Sequence, residues 1–547
     1  MLPRLRRPAS LLAALTIAVV PLTACSTGGQ ADDGTLTVFI PQLAGVDMSQ
    51  STTTKVLQEK FGVTMRFETS TYDASAAKEK RQISLASGDL PDVYMLIPWV
   101  DQFNQVELLR LGRQGIAVPL NDLIEQHAPN IKKAFEETPE LRRLATAPDG
   151  KIYGMPQWND CFHCSYGAKL WMNSDWLRKV GLPMPTTTEE MREVLRAFKT
   201  RDPNGNGQPD EIPLSGSTSD TLLPYFMNAF LYDPQSGNAF PSTLALNNGR
   251  VQLQAAQPGW REGLRYLASL NAEGLIDPGA FSQNRDALMA KGDLDGAPVV
   301  GAATVQHPAL LVTTGHPDGR DKLYDPVPPL TGPTGVSYAS YNLSTLPGAT
   351  FLITAEATEE EQIAAIKILD WFHTQEGNII GQFGDEGEGW LRPGPGDVAL
   401  DPNLTPVFEQ VPTDPEAPRD PEGPWGAAAG YYSTEEFRNA QVQSTDIYSP
   451  EGGERRLYEA TKLYEGKTPQ DQVFPYWNVW VEPDVAGELA TLQTNIENHV
   501  AQSSLQFVTG QLDVDDDSAW NAYLDGLRNL GLDRYLQIQQ TGYEAAG

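Results

Sequence analysis

The sequence predicts an α/β protein of at least two lobes, and three observations carry that reading. Its first ordered stretch alternates strand, helix, strand, helix, strand with short connections, the signature of a parallel sheet covered on both faces. The chain is 547 residues long, roughly three to four times a typical domain. Hydrophobic residues make up 40% and charged residues 20%, which suits a large buried core and excludes a disordered chain or a multi-span membrane protein. Taken in order, residues 35–41 alternate and then run apolar, as a buried first strand does. Residues 51–61 read as a helix, 63–68 as a strand, 72–87 as a helix stopped by Gly88-Asp89-Leu90-Pro91, and 92–97 as a third strand. Helical periodicity returns at 189–200, 258–273, 359–374, 453–464, 487–500 and 517–530. Tracts rich in Pro and Gly at 325–335 and 392–425 read as long excursions between lobes or around a site. No repeat of fixed period is present.

The formal charge is −31, from 40 Lys and Arg against 71 Asp and Glu. With no basic run beyond the first few residues, nucleic acid is excluded as a partner.

The first 24 residues read as a lipoprotein signal peptide. Arg4, Arg6 and Arg7 form a positive start, and residues 11–20 form an apolar stretch too short to span a bilayer. Leu22-Thr23-Ala24-Cys25 then resembles a bacterial lipobox, so Cys25 is expected to be lipidated and to become the mature N-terminus. Its acyl chains would anchor the protein to the outer face of the cell membrane, each buried CH₂ contributing about 0.8 kcal/mol. Residues 25–34 are small and polar and read as a flexible tether.

Two cysteines remain, in Cys161-Phe162-His163-Cys164. A zinc site needs four ligands, and only His163 stands nearby. A redox dithiol would sit at a helix N-terminus, whereas the neighbouring residues read as loop. The reading that suits an oxidising compartment is a local Cys161–Cys164 disulfide bracing that loop.

The family resemblance rests on several motifs in fixed order: the lipobox, the βαβ opening and Ala86-Ser-Gly-Asp-Leu-Pro-Asp92, then Leu120-Asn-Asp-Leu-Ile-Glu125, Asp149-Gly-Lys-Ile-Tyr-Gly-Met-Pro156 and Asn173-Ser-Asp-Trp-Leu177. Glu273-Gly-Leu-Ile-Asp-Pro278, Gly384-Asp-Glu-Gly387 and a closing Gly531-Leu-Asp-Arg-Tyr-Leu536 complete it. Together they resemble the extracellular solute-binding lipoproteins of ABC importers, and are similar to the carbohydrate-binding members that take alginate oligosaccharides. The resemblance implies a two-lobed periplasmic-binding-protein-like fold, with a ligand cleft between lobes joined by hinge segments. Lobe I would comprise 35–155 and 345–390, and lobe II 156–344 and 391–547. It implies a monomer that captures a carbohydrate, an oligosaccharide, by lobe closure and delivers it to ABC permease subunits in the membrane. Two features depart from the family pattern: the Cys161/Cys164 loop, and Gly389-Trp390 where a His-Tyr pair is usual.

Asp202-Pro-Asn204-Gly-Asn206-Gly207-Gln208-Pro-Asp210-Glu211 reads as an EF-hand-type Ca²⁺ loop. Asp202, Asn204 and Asn206 stand at positions 1, 3 and 5, Gly207 makes the turn, Gln208 offers a carbonyl, and Asp210 stands at 9. Pro213 occupies the position of the usual bidentate Glu, so Glu211 is expected to supply that carboxylate. Similar loops bind calcium in the alginate-binding relatives, and the resemblance places this one away from the cleft as a structural site.

Eleven tryptophans are available to meet a sugar. Trp176, Trp260, Trp371 and Trp520 lie in amphipathic helical stretches and read as core, while Trp171 sits in an alternating strand. Trp99, Trp158, Trp390 and Trp425 lie past strands or in Gly/Pro tracts, where an indole could stack on a pyranose face, so these four are the expected ligand contacts. Tyr341, Tyr432 and Trp480 follow, with Asn159, Asp160, Glu386 and Arg392 as candidate polar partners. The sequence contains no GxSxG elbow, HExxH helix, phosphate loop or dinucleotide fingerprint, so an enzyme is not expected. The alternatives are a secreted glycoside hydrolase or polysaccharide lyase, since 71 acidic residues leave a carboxylate pair open, and a sugar-sensing lipoprotein.

Overall fold

A computed structural model describes residues 34–235, 242–411 and 420–546. The signal peptide, Cys25 and the tether up to residue 33 lie outside the described residues. The strands, in chain order, are β1 Thr35–Pro41, β2 Thr64–Ser70, β3 Val93–Met95, β4 Trp158–Asn159, β5 Leu170–Asn173, β6 Leu244–Asn247, β7 Arg250–Leu253, β8 Ala302–Thr304, β9 Tyr324–Val327, β10 Phe351–Ile353, β11 Trp390–Leu391, β12 Glu409–Gln410 and β13 Tyr432–Ser433.

The first sheet runs β10-β3-β1-β2. β1 is parallel to both β2 and β3, in a register carrying Thr35↔Thr64 through to Pro41↔Ser70. Its pleat sends Leu36, Val38 and Ile40 into a core with Leu57, Ala77 and Ile366. Phe39 points the other way, onto Tyr94, Phe103 and Leu108. Burial on both faces is why this strand reads as an apolar run. β10 joins antiparallel, returning from the second lobe. The expected helices form with small shifts of their ends, among them Thr52–Phe61, Ala74–Ser87, Thr188–Thr200 and Glu359–Phe372. Capping boxes at Thr187/Glu190 and Thr358/Glu361 fix two of the starts. The helix expected at 487–500 runs as Pro483–Val508, because Pro483 takes the first-turn position where its missing N–H costs nothing.

The second lobe departs from the parallel pattern. Its sheet runs β8-β5-β9, with β5 antiparallel to both neighbours. The loop expected around Cys161 is instead a one-turn helix, Phe162–Ser165, with Cys161 as its N-cap residue. Cys161 and Cys164 are joined in a disulfide, their Cα atoms 5.2 Å apart.

Two large apolar cores mark the lobes. One gathers β1 to β4, Phe351 and Leu369. The other gathers Leu170 to Leu330 and the C-terminal helices to Tyr535. Trp425, Ala428, Ala429 and Tyr431, from a stretch the sequence assigns to lobe II, pack in the first core. Segments 158–161, 341–345 and 431–433 cross between the cores and bind one another. The Trp158 N–H donates to Tyr431 O at 2.9 Å and the Asp160 N–H to Ser433 O at 2.8 Å. The Asn159 N–H donates to Thr345 Oγ1 at 2.9 Å, and the Cys161 N–H to Ser344 Oγ at 3.0 Å. Beyond β3, buried Arg81 clamps Asp101 through two hydrogen bonds of 2.6 and 3.0 Å, fixing the segment that carries Trp99.

Candidate functional site

A cavity of about 890 Å³ lies beside the crossing segments and takes walls from both lobes. Gln382 and Phe383, at the end of the helix Gln375–Phe383, and β12 form the first-lobe wall. Gln306 and His307 beyond β8, with Tyr448 and Arg456, form the opposite wall. His163, Cys164 and Arg438 stand between them, and the lining also takes in Gln441, Gln443, Asp321, Glu451 and Glu454.

Local sequence explains each wall. β12 is held by β11, with Trp390 opposite Gln410. The Trp390 indole donates to Gly384 O at 3.1 Å and is covered by the Arg392 guanidinium 5.6 Å from its ring. Residue 389 must be glycine, since an added Cβ would stand 1.6 Å from Phe383 O. On the other side Arg456 donates to the carbonyls of Asp321 and Tyr324 at 3.0 and 2.6 Å. Its charge also lies 5.1 Å from the Tyr448 ring.

Arg438 donates to Asn159 Oδ1 at 2.9 Å, tying the wall to a crossing segment. Burial lowers its pKa, while Glu454 and Asp160 oppose that shift. Burial also pushes the carboxyls of Asp160, Glu435 and Glu454 upward. The His163 imidazole is pushed down to about 3, by burial first and then by the charges of Lys169 and Arg438. It is therefore neutral in the physiological range. Lys169, fully buried, is pushed down to about 7 by burial alone, and its ammonium donates to the carbonyls of His163 and Tyr166. A second cavity, of about 1100 Å³, is lined by Asp160, Tyr432, Glu435 and Phe437. The helix Glu435–Asn439 contributes to both.

The expected tryptophans do not meet here. Trp99 is 63% exposed and lines none of the described cavities. Trp158 is buried in β4 within the first core. Trp390 stands behind the β12 wall, in a small cluster with Ile379 and Phe408. Trp425 packs edge-on to Phe67 with centroids 5.9 Å apart, and its indole donates to Thr54 Oγ1 at 2.9 Å. Residues 420–425, the end of the Gly/Pro tract, lie against the first lobe, where the Asp47 and Thr52 N–H groups donate to the carbonyls of Pro421 and Glu422. Trp176, Trp260, Trp371 and Trp520 are core, as their periodicity indicates, and Trp171 is fully buried in β5. Of the further candidates, Tyr432 lines the second cavity, Tyr341 touches both cores, and Trp480 packs against the small cluster that holds Phe39, Tyr94 and Phe103. Glu386 and Arg392 pair with each other at 2.9 Å. Gln306, Gln382, Gln441 and Arg456 carried no sequence signal beyond being polar.

The 202–211 loop has the donor set and shape for a hard cation. Asp202 adopts φ 45°, and Gly205 and Gly207 both φ 73°, bending the loop tightly. The Gly207 N–H donates to Asp202 Oδ2 at 3.1 Å, Asn206 N–H to Asn204 Oδ1 at 3.0 Å, and Gln208 N–H to Asn206 Oδ1 at 2.7 Å. The Asn204 and Asn206 amides reach the Asp210 carboxylate at 2.8 and 3.0 Å. Glu211 Oε1 is buried without a hydrogen-bond partner. Burial, then the charges of Asp202 and Asp210, push the Glu211 carboxyl upward. An orphaned carboxylate oxygen beside two further carboxylates fits Ca²⁺.

Two α/β lobes around a polar cleft define a solute-binding protein. The chain matches the bacterial extracellular solute-binding protein family over residues 53–422, and it belongs to that family. It is 26% identical over 488 residues to the fructooligosaccharide ABC transporter substrate-binding protein FusA of Streptococcus pneumoniae, covering 85% of this chain and 82% of that one. The structure of FusA in complex with kestose superposes with a TM-score of 0.67 at 25% identity, covering 93% and 99% of the two chains. An extracellular solute-binding protein of Bifidobacterium longum subsp. infantis shares the fold, with a TM-score of 0.75 at 22% identity over 94% and 98%. Lipoprotein LipO of Bacillus subtilis is 24% identical over 403 residues, 69% of this chain and 72% of that one.

The placements separate two tryptophans by experiment. Trp425→Ala is expected to cost about 3–5 kcal/mol of fold stability. Trp99→Ala is expected to stay within about 0.5 kcal/mol of the parent. Urea denaturation of both variants checks this; equal losses would overturn the placement of Trp425 in the core.

Proposed function

We propose that this protein is the substrate-binding lipoprotein of an ABC importer for a neutral oligosaccharide. The observation that carries the reading is the two-walled cleft with Gln306, Gln382, Gln410, Gln441 and Gln443 along its lining. A sugar hydroxyl donates one hydrogen bond and accepts others, and a primary amide offers both complements on one side chain. Half-buried Phe383 and Tyr448 add apolar surface for the C–H faces of a ring. Ligand held by both walls favours the closed arrangement over the open one, which is the signal a permease can read. FusA, which is similar to this chain over most of its length, is a fructooligosaccharide-binding protein, and that supports a sugar ligand. No step of bond cleavage belongs to the proposal: the protein binds and releases its solute unchanged, as a monomer.

Two accessory features complete it. Asp202, Asn204, Asn206, Asp210 and Glu211, with the Gln208 carbonyl, would hold a structural Ca²⁺, whose charge would neutralise the clustered carboxylates. Cys25 would carry the lipid that keeps the protein at the outer face of the membrane, within reach of its permease subunits.

Three measurements test these points. Titration calorimetry with neutral fructan, α-glucan and β-galactoside oligomers is expected to find a ligand that is recovered intact. Gln441→Ala is expected to weaken that ligand by about 0.5–1.5 kcal/mol, roughly two- to tenfold. Hydrolysed sugar, or silence across the panel, would overturn the reading. Calcium is expected to raise the melting temperature over chelator, by about 2.7 kcal/mol of stability at a hundredfold excess over Kd. Glu211→Gln is expected to weaken the response; an unchanged melting curve in the parent would remove calcium from the account. Cys25→Ser is expected to move the protein from the membrane fraction to the medium, and retention after a salt wash would count against lipidation.

A further inference from the structure

The disulfide turn opens onto the cleft and carries more ligand chemistry than a brace needs. His163 is folded back over the bridge, its Nε2 3.5 Å from Cys164 Sγ and 3.7 Å from Cys161 Sγ. The three ligand atoms of Cys161, His163 and Cys164 lie within 4.8 Å of one another. Among the described residues no fourth protein ligand joins the three, which leaves that position to water, but the fold places a carboxylate on the other nitrogen of the imidazole. Glu454, from the helix Gly453–Thr461, places Oε2 3.3 Å from His163 Nδ1. His163, Cys164 and Glu454 all line the 890 Å³ cavity, which gives an ion and a reductant a path to them.

We propose that the reduced form of this turn is a binding site for a borderline-soft divalent cation such as Zn²⁺, held by Cys161, Cys164 and His163 Nε2 with water in the fourth position, while Glu454 orients the imidazole through Nδ1. Two thiolates and one imidazole, with an open fourth position, are a donor set suited to zinc and poorly suited to Ca²⁺ or Mg²⁺. The charge balances locally: two thiolates offset the ion, and Arg438, whose charge is felt by Glu454, offsets the carboxylate. The turn already holds His163 against both sulfurs, so uptake needs the sulfurs to part and Nε2 to turn onto the ion, with Glu454 kept on Nδ1 and no rearrangement of the lobes.

The redox step is thiol–disulfide exchange with an external dithiol. Its thiolate attacks Cys164 Sγ, the sulfur on the cavity side, and breaks the Cys161–Cys164 bond, with Cys161 leaving as thiolate. The second thiol of the reductant then displaces Cys164 and closes to a cyclic disulfide. The protein gains two electrons and, in the metal-free form, two protons; cation binding releases those protons. Oxidised protein does not bind the ion, so occupancy follows the thiol redox state outside the cell. The site is independent of the sugar assignment, because it is read without sugar present.

Cobalt(II) is the probe, in the chain from residue 26 onward so that Cys25 adds no third thiol, with calcium present and a phosphine as the laboratory reductant. Expected for the reduced parent are one Co²⁺ per chain showing thiolate-to-cobalt charge transfer and tetrahedral ligand-field bands, and their displacement by Zn²⁺. The oxidised parent should show neither, and cobalt in the oxygen-lined 202–211 loop gives no thiolate band. Glu454→Gln and His163→Ala should each weaken binding about tenfold or more. The comparison of oxidised with reduced parent needs no substitution, so it holds even if the Cys161→Ser/Cys164→Ser variant fails to fold. Absence of the charge-transfer band in folded reduced protein overturns the proposal. So does unfolding on reduction, or a band that neither Glu454→Gln nor His163→Ala changes.

Discussion

The backbone hydrogen bonds between the three crossing segments are the constraint on which the cleft depends. Each lobe closes a core of its own, and the chain must pass between cores with its peptide groups satisfied in any arrangement of the lobes. The crossings satisfy one another: β4 and β13 pair over two residues, and Asn159 and Cys161 take the hydroxyls of Thr345 and Ser344. A two-residue pairing is too short to be stiff, so it can bend while its hydrogen bonds persist. The cleft residues are hung from it. Asn159 holds Arg438, Cys161 starts the disulfide turn, and Tyr432 leaves β13 to line the second cavity.

That arrangement also decides the electrostatics. The chain carries a formal −31, yet the buried groups around the crossings include Lys169, Arg438 and Arg456, whose donors go to carbonyl and amide oxygens. Burial pushes the basic groups down and the nearby carboxyls of Asp160, Glu435 and Glu454 up, so the region moves from both sides toward lower charge. The net charge of the molecule therefore says little about the ligand. A lining rich in glutamine beside partly compensated charges suits a neutral polyol better than an anion, which would add charge where desolvation already disfavours it.

The first lobe was legible because its signals are local. Residues 35–97 alternate or run apolar at strand period, and their helices carry readable starts and stops. Alternation around Trp171 marks β5, but β5 and β8 are only four and three residues long, too short to tell their pairing, so the antiparallel order of the second sheet left no mark. The tryptophans show a different limit. A Gly/Pro tract tells that the chain turns, not where it lands, and Trp425 lands between Phe67 and Phe372, residues far from it in sequence. The cleft wall was the least legible part. Glutamine and histidine at 306, 307, 382 and 441 resemble ordinary surface polarity until the fold sets them around one cavity. Glu454 became a neighbour of His163 in the same way.

The 202–211 loop was legible as a candidate cation site because its oxygen donors lie within ten consecutive residues, and its place in the fold suits a structural role. Just after it, Ile212 bridges in parallel to Val300, and Ser215 to Ala303, so the chain leaving the loop runs alongside the approach to β8. The Ile212 N–H donates to Val299 O at 2.8 Å, and the Gly301 N–H returns to Ile212 O at 2.8 Å. The loop thus sits at the beginning of this ladder, while Gln306 and His307 emerge into the cleft beyond its other end. Six residues of extended chain from Val300 to Gln306 span about 20 Å, too far for a cation to touch a ligand in the cleft. An ion there would quiet the buried oxygen of Glu211 and steady the strand edge from behind. Its effect would belong to the stability of the second lobe, and would reach the cleft only as a firmer footing for the wall.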